Sequence, residues 1–117
     1  MLDEVIGFLQ RENVDARATH HVALVIEEIL ANLGTHGGCR DKPARITVSI
    51  EPARVRGEIV DQGPAFDPRT APPPDLTSPM DERPMGGLGL HLVRQLSTLE
   101  YSRQNGENRM TFFVTRQ

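Results

Sequence analysis

One cysteine, one lysine and no tryptophan occur in this 117-residue sequence, and no apolar run in it approaches the length of a membrane span. Each scarcity removes a class of protein. A lone Cys39 cannot form an internal disulfide, and with no Cys or His at metal-ligand spacing beside it, it reads as a free thiol. Lys42 stands between Asp41 and Pro43 and no Gly-Lys-Ser/Thr run exists, so the lysine that a P-loop requires is missing. Without ~20 consecutive apolar residues there is no candidate transmembrane helix. Asp3 and Glu4 stand where a secretory signal would carry cations, so a cytoplasmic protein with no membrane partner is expected. Positive charge is also short, with 13 Lys and Arg against 16 Asp and Glu and a formal net charge of −3. The cations are scattered rather than striped, which argues against direct binding of nucleic acid.

What remains is an ordinary globular composition, 38% apolar before the 10 glycines are added. The length suits one domain over residues 1–117 that buries roughly two thirds of its unfolded surface. Val5, Ile6 and Leu9 predict a short amphipathic helix over 3–12 that ends near Asn13. Val22, Ile26, Ile29, Leu30 and Leu33 predict a longer one over about 17–35, stopped by Gly37-Gly38. From Ala44 the period drops to two, giving a strand through Ile46, Val48 and Ile50, and a second from Val55 to Asp61 that pairs antiparallel with it.

Residues 64–84 hold 7 of the 9 prolines, which bars helix interiors and central strands and predicts a long loop of the kind that serves as a lid, over about 64–85. A helix follows from Leu88 to about Ser97. Two strands, 100–103 and 109–115, close the sequence around the turn residues Asn105-Gly106, with Met110, Phe112 and Val114 on the inner face. The order of elements predicts an α+β fold with helices on one side of an antiparallel sheet.

Three segments carry chemistry. Glu28 and Asn32 are one helical turn apart, on one face and off the apolar stripe. A carboxamide oxygen suits Mg²⁺, and a neighbouring carboxylate can take a proton, although Glu-x-x-x-Asn by itself also describes an ordinary solvated face. Asp61 ends an apolar strand, and Gly63 follows it. The pair makes a tight turn, or it accepts a hydrogen bond from a base amine while the glycine lets the base approach the backbone. Gly86, Gly87, Leu88 and Gly89 precede and open a helix, so free N–H groups and the positive end of the dipole converge on an anion site. Arg83, just ahead of them, is a candidate lid cation for a terminal phosphate, or a plain solvated arginine. A Rossmann fingerprint is excluded, because Leu92 stands where its last glycine belongs. His20, His21, His36 and His91 are not spaced as a metal set.

The order and wording of these segments, Glu28-Ile29-Leu30-Ala31-Asn32, Asp61-Gln62-Gly63-Pro64-Ala65-Phe66-Asp67-Pro68 and Gly86-Gly87-Leu88-Gly89-Leu90-His91-Leu92-Val93, resemble the N, G1 and G2 boxes of the GHKL ATPase superfamily, which holds gyrase, a heat-shock chaperone, histidine kinases and MutL. Within it, the second and third segments and the run Tyr101 to Thr111 look like the serine/threonine kinases that act as anti-sigma factors.

The resemblance implies the Bergerat fold, a two-layer α/β sandwich whose antiparallel-dominated mixed sheet has helices on one face. It implies Glu28 as general base, Asn32 as Mg²⁺ ligand, Asp61 and Gly63 as adenine contacts, Gly87 and Gly89 as phosphate contacts, and Thr111 as support for Asp61. It implies ATP and Mg²⁺ as cofactors. The implied function is to sequester a sigma factor in a bacterial partner-switching module and phosphorylate a serine of a STAS-domain anti-anti-sigma antagonist, with a homodimer left open. The alternatives are a nucleotide-holding sequestration module without transfer and a histidine-kinase-type catalytic domain. Against the latter, no dimerisation helix pair or Phe-rich box is present. Those kinases usually begin with a strand before the first helix, which is not evident here.

Overall fold

The computed structural model describes residues 2–35, 44–65, 67, 69 and 87–117. Helices α1 (Leu2–Arg11) and α2 (Ala16–Thr35) come first, then strands β1 (Arg45–Ile50) and β2 (Arg54–Asp61). Helix α3 (Gly87–Leu96) and strands β3 (Thr98–Gln104) and β4 (Glu107–Thr115) complete the described elements. Among them the sheet runs β1-β2-β4-β3 with every neighbouring pair antiparallel, so the mixed sheet expected from the resemblance is here wholly antiparallel. No described helix is long and apolar enough to cross a membrane.

Local chemistry explains the boundaries. Helix α1 ends where Asn13 takes a left-handed φ of 60°, a conformation that asparagine tolerates better than most residues, and Val14 N–H closes on Leu9 O at 3.0 Å. Asp15 then caps α2, its carboxylate accepting the Ala18 N–H at 3.1 Å. In the β3–β4 turn, Asn105 and Gly106 have φ of 54° and 76°, the pair of positive values that a tight hairpin requires.

Alternation on the strands builds the core. Val55, Ile59, Met110, Phe112 and Val114 share the helix-covered face and are almost completely buried against Ala18, Val22, Val25, Ile26 and Ile29 of α2 and Val93 of α3. Each such side chain contributes about 1.5–3 kcal/mol relative to exposure. On the opposite face, Arg54 stacks over Phe113 at 3.9 Å.

Gly57 lies directly opposite Phe112 in the β2–β4 ladder, and the ring fills the space a side chain would need. A Cβ there would come 2.1 Å from Phe112 Cζ. Gly57→Ala is therefore expected to destabilise the fold by about 1–3 kcal/mol, as overpacking does. Thermal melts should show Gly57→Ala and Phe112→Leu together costing less than the sum of the two singly, because the smaller side chain yields the space.

The Asp15 carboxylate also accepts the Gln117 N–H at 2.9 Å, joining the start of α2 to the chain beyond β4. The Gln117 N–H first, and then the Ala18 N–H, hold this carboxyl below its ordinary value of 3.8. A depressed folded-state pKa means the contribution is complete above the unfolded value and lost as pH falls through the folded one. Asp15→Ala should thus lower the urea midpoint at pH 7, and the gap to wild type should close as pH drops below 3.8. A gap that persists unchanged at pH 2 would mean the charge on Asp15 plays no part.

Candidate nucleotide site

Helix α2 presents its site residues by extending its buried line. Val25 and Ile29 are almost completely buried, and Asn32, one turn further on, is 3% exposed. The sequence reading set both Glu28 and Asn32 off the apolar stripe. Asn32 instead continues it, while Glu28 sits half-buried at its border. A carboxamide in an otherwise apolar line is costly unless something meets it.

Asp61 ends β2 at 4% exposure on the helix-covered face. Its Oδ1 accepts the Gly63 N–H at 2.8 Å, which makes the tight turn that Asp-x-Gly predicts, and also accepts Asn108 Nδ2 at 3.2 Å. Oδ2 takes no part in that turn. Three buried side-chain polar atoms lack a partner among the described residues, and two of them are Asn32 Oδ1 and Asp61 Oδ2. Leaving such an atom unpaired costs about 1–3 kcal/mol, so a native protein that carries one calls for an explanation, and a bound ligand supplies it. An orphaned carboxamide oxygen fits a hard cation such as Mg²⁺, and an orphaned carboxylate oxygen fits a base amine.

Gly87, Leu88 and Gly89 form the first turn of α3, where backbone N–H groups have no intrahelical acceptor. Helix α3 packs against α2 and β3. Gly86 and Arg83, and most of the predicted lid, lie outside the described residues.

Just after the Asp61 turn, Asp67 and Arg69 form an ion pair at 2.9 Å. Arg69 lies above the Tyr101 ring at 6.0 Å, and its carbonyl accepts Arg94 Nη1 of α3 at 3.4 Å. The Arg69 guanidinium holds the Asp67 carboxyl below the usual carboxylate range.

Thr111 is not behind Asp61. The register sets it opposite Glu58 and Glu100, on the face that alternates away from the helices, whereas Asn108 pairs with Asp61. Asn108, which the sequence reading passed over, is the side chain that reaches the aspartate, and a signal for it existed. Asn108 has the same parity as Met110, Phe112 and Val114, already read as the inner face; Thr111 has the opposite parity.

Comparison with known proteins bears on the family and the fold. Residues 1–113 match the family described as the histidine kinase-like ATPase domain. The chain is 34% identical over 104 residues to the serine/threonine-protein kinase BtrW of Bordetella bronchiseptica, an overlap of 86% of this chain and 73% of that one. Among solved structures it is similar to the catalytic domain of the histidine kinase ThkA, with a TM-score of 0.60 at 14% identity over 98% of this chain and 90% of that one. It is also similar to the histidine kinase AdeS of Acinetobacter baumannii, with a TM-score of 0.55 at 17% identity over 83% of this chain, and it spans 46% of the AdeS chain. At these identities the solved structures speak to the fold. The match over residues 1–113, with a four-stranded antiparallel sheet and three helices among the described residues, leads to one assignment: the chain belongs to the histidine kinase-like ATPase domain family of the GHKL superfamily.

Proposed function

We propose that this protein is a Mg·ATP-dependent serine/threonine protein kinase that also acts as an anti-sigma factor in a bacterial partner-switching module. The observation that carries the kinase reading is the 34% identity with a serine/threonine-protein kinase across 86% of the chain. The partners, a sigma factor and a STAS-domain anti-anti-sigma antagonist, follow from the likeness of the Asp61–Pro68 and Gly86–Leu96 segments to the kinases of such modules.

In this reading Asp61 Oδ2 accepts the exocyclic amine of adenine, and Gly63 lets the base lie close to the backbone. Asn32 Oδ1 holds Mg²⁺, which when bound neutralises charge on the phosphates. Backbone N–H groups at the start of α3 hold phosphate oxygens. The acceptor serine oxygen attacks the γ-phosphorus, the bond from that phosphorus to the bridging oxygen breaks, and ADP leaves. Glu28 takes the serine proton. Between them these groups position and neutralise, which is most of what phosphoryl transfer asks of a protein.

The test is incubation with γ-labelled ATP, Mg²⁺ and a purified STAS-domain antagonist encoded beside the gene. Label on a serine of the antagonist is the expected result. A tight complex with sigma factor and antagonist but no label would reassign the protein as a sequestration module, and label on histidine would reassign it as a histidine kinase domain.

A further inference from the structure

Asn108 is 1% exposed and donates to Asp61 from 47 residues further along the chain. Its amide is held in one orientation. Oδ1 accepts the Tyr101 hydroxyl at 2.5 Å and Arg103 Nη1 at 2.9 Å. Nδ2 faces three acceptors, Asp61 Oδ1 at 3.2 Å, Pro64 O at 2.8 Å and Gly63 O at 3.4 Å. Turned over, the amide would set its oxygen against a carboxylate and two carbonyls, and its nitrogen against two donors. Hydrogen-bond partners of this kind decide an amide's orientation. Arg103 Nη1 also donates to Gly63 O at 3.0 Å, so the β3–β4 hairpin grips both the Asp61 carboxylate and the backbone of its turn.

The consequence for Asp61 is an asymmetry between its two oxygens. Oδ1 has two donors, the Gly63 N–H and Asn108 Nδ2, and Oδ2 has none among the described residues. A carboxylate with one oxygen engaged on two sides cannot rotate to share its acceptors, so the remaining oxygen offers one fixed direction of acceptance. That is what distinguishes a purine with a 6-amino donor from one with hydrogen or a 6-oxo acceptor in its place.

We propose that Asn108 is a positioning residue for base recognition. By engaging Oδ1 it presents Oδ2 to the 6-amino group, and Tyr101 and Arg103 keep Asn108 in the single orientation that does this. The proposal rests on the reading of Asp61 as the base contact. It places the preference for 6-aminopurine nucleotides in a network rooted in β3 and β4, rather than in Asp61 alone.

The test compares Mg²⁺-dependent binding of ATP with that of purine riboside 5′-triphosphate, which is ATP without its 6-amino group, by calorimetry on the wild type, Asn108→Ala and Tyr101→Phe. The wild type is expected to favour ATP by about tenfold or more, the effect of a hydrogen bond to a charged acceptor. In Asn108→Ala the ratio should fall towards one, mainly through weaker ATP binding. Tyr101→Phe, which removes one hydroxyl from a half-buried ring, should lower the ratio in the same direction by less, and it keeps the test open if Asn108→Ala does not fold. A merely structural role would weaken both nucleotides equally and leave the ratio unchanged. If the wild type favours ATP and the folded variants keep its ratio, Asn108 does not position Asp61 and the proposal fails by itself. If the wild type binds both nucleotides alike, Asp61 does not read the 6-amino group, and the proposal falls together with that reading.

Discussion

Glu28→Gln is expected to slow phosphorylation of the antagonist at least ~10²-fold while leaving the affinity for Mg·ATP within a factor of about two, the pattern of a lost general base. The glutamine keeps the length and polarity of the side chain and removes only its ability to take the serine proton. Glu28 stands half-buried at the border of the α2 face, beside rather than within the buried line that ends in Asn32. The exchange is nearly isosteric, so circular dichroism and the melting temperature should change little. The control is Asn32→Ala, which removes the orphaned carboxamide oxygen and should lose nucleotide affinity and transfer together. Single-turnover transfer with saturating ATP separates the two. A Glu28→Gln protein that transfers phosphate at the wild-type rate would leave the base role unsupported and confine Glu28 to binding or to the surface.

At Asp61 the informative change is to asparagine. Alanine would strip the Gly63 N–H and Asn108 Nδ2 of their acceptor inside the fold, mixing a stability loss with a binding loss. Asparagine can keep its oxygen on those two donors, and it then presents an amide N–H₂ where Oδ2 was. A donor now faces the donor of adenine. ATP affinity should fall tenfold or more, on the order of the 1.5–3 kcal/mol attached to a hydrogen bond with a charged group. GTP, whose 6-oxo group accepts, should gain relative to ATP. Competition binding of the two nucleotides reads the exchange. Unchanged ATP affinity in folded Asp61→Asn would remove Asp61 from the site.

Much of this architecture is visible in residue order alone, because the forces that form its elements are local. The period of the apolar residues marked the long helix as about 17–35, and α2 runs Ala16–Thr35. The Asn105-Gly106 pair marked the hairpin, and both residues have positive φ. Both hairpins could be read for the same reason, since their strands are neighbours in the chain.

The pairing of β2 with β4 is different in kind. It joins Asp61 to Asn108 and Gly57 to Phe112 across a long stretch of sequence, and no periodicity within either strand specifies it. Gly57 as a receptor for the ring is a consequence of that register and went unread; the parity of Asn108 with Met110, Phe112 and Val114 was legible and places it on the inner face, but only the register joins it to Asp61. Asn32 was misplaced for another reason. Polarity was taken as a sign of exposure, whereas its spacing from Val25 and Ile29 places it in the buried line. A buried polar residue that breaks a local rule in this way is what a binding site looks like from the sequence side.

The position of β4 has a bearing on how the chain comes to be folded at all. It lies inside the sheet, between β2 and β3, yet it is synthesised after every other described element. While a ribosome is still extending the chain, β2 therefore has an open edge, and Val55 and Ile59 lack the strand that covers their flank. Such unpaired apolar edges are what aggregation and chaperone capture act on. Folding of this domain must then be close to a single late event in which the arrival of β4 closes the sheet, rather than a gradual accretion behind the growing chain. The hydrogen bond from Asn108 to Asp61 would form in the same step, since Asn108 arrives on that strand.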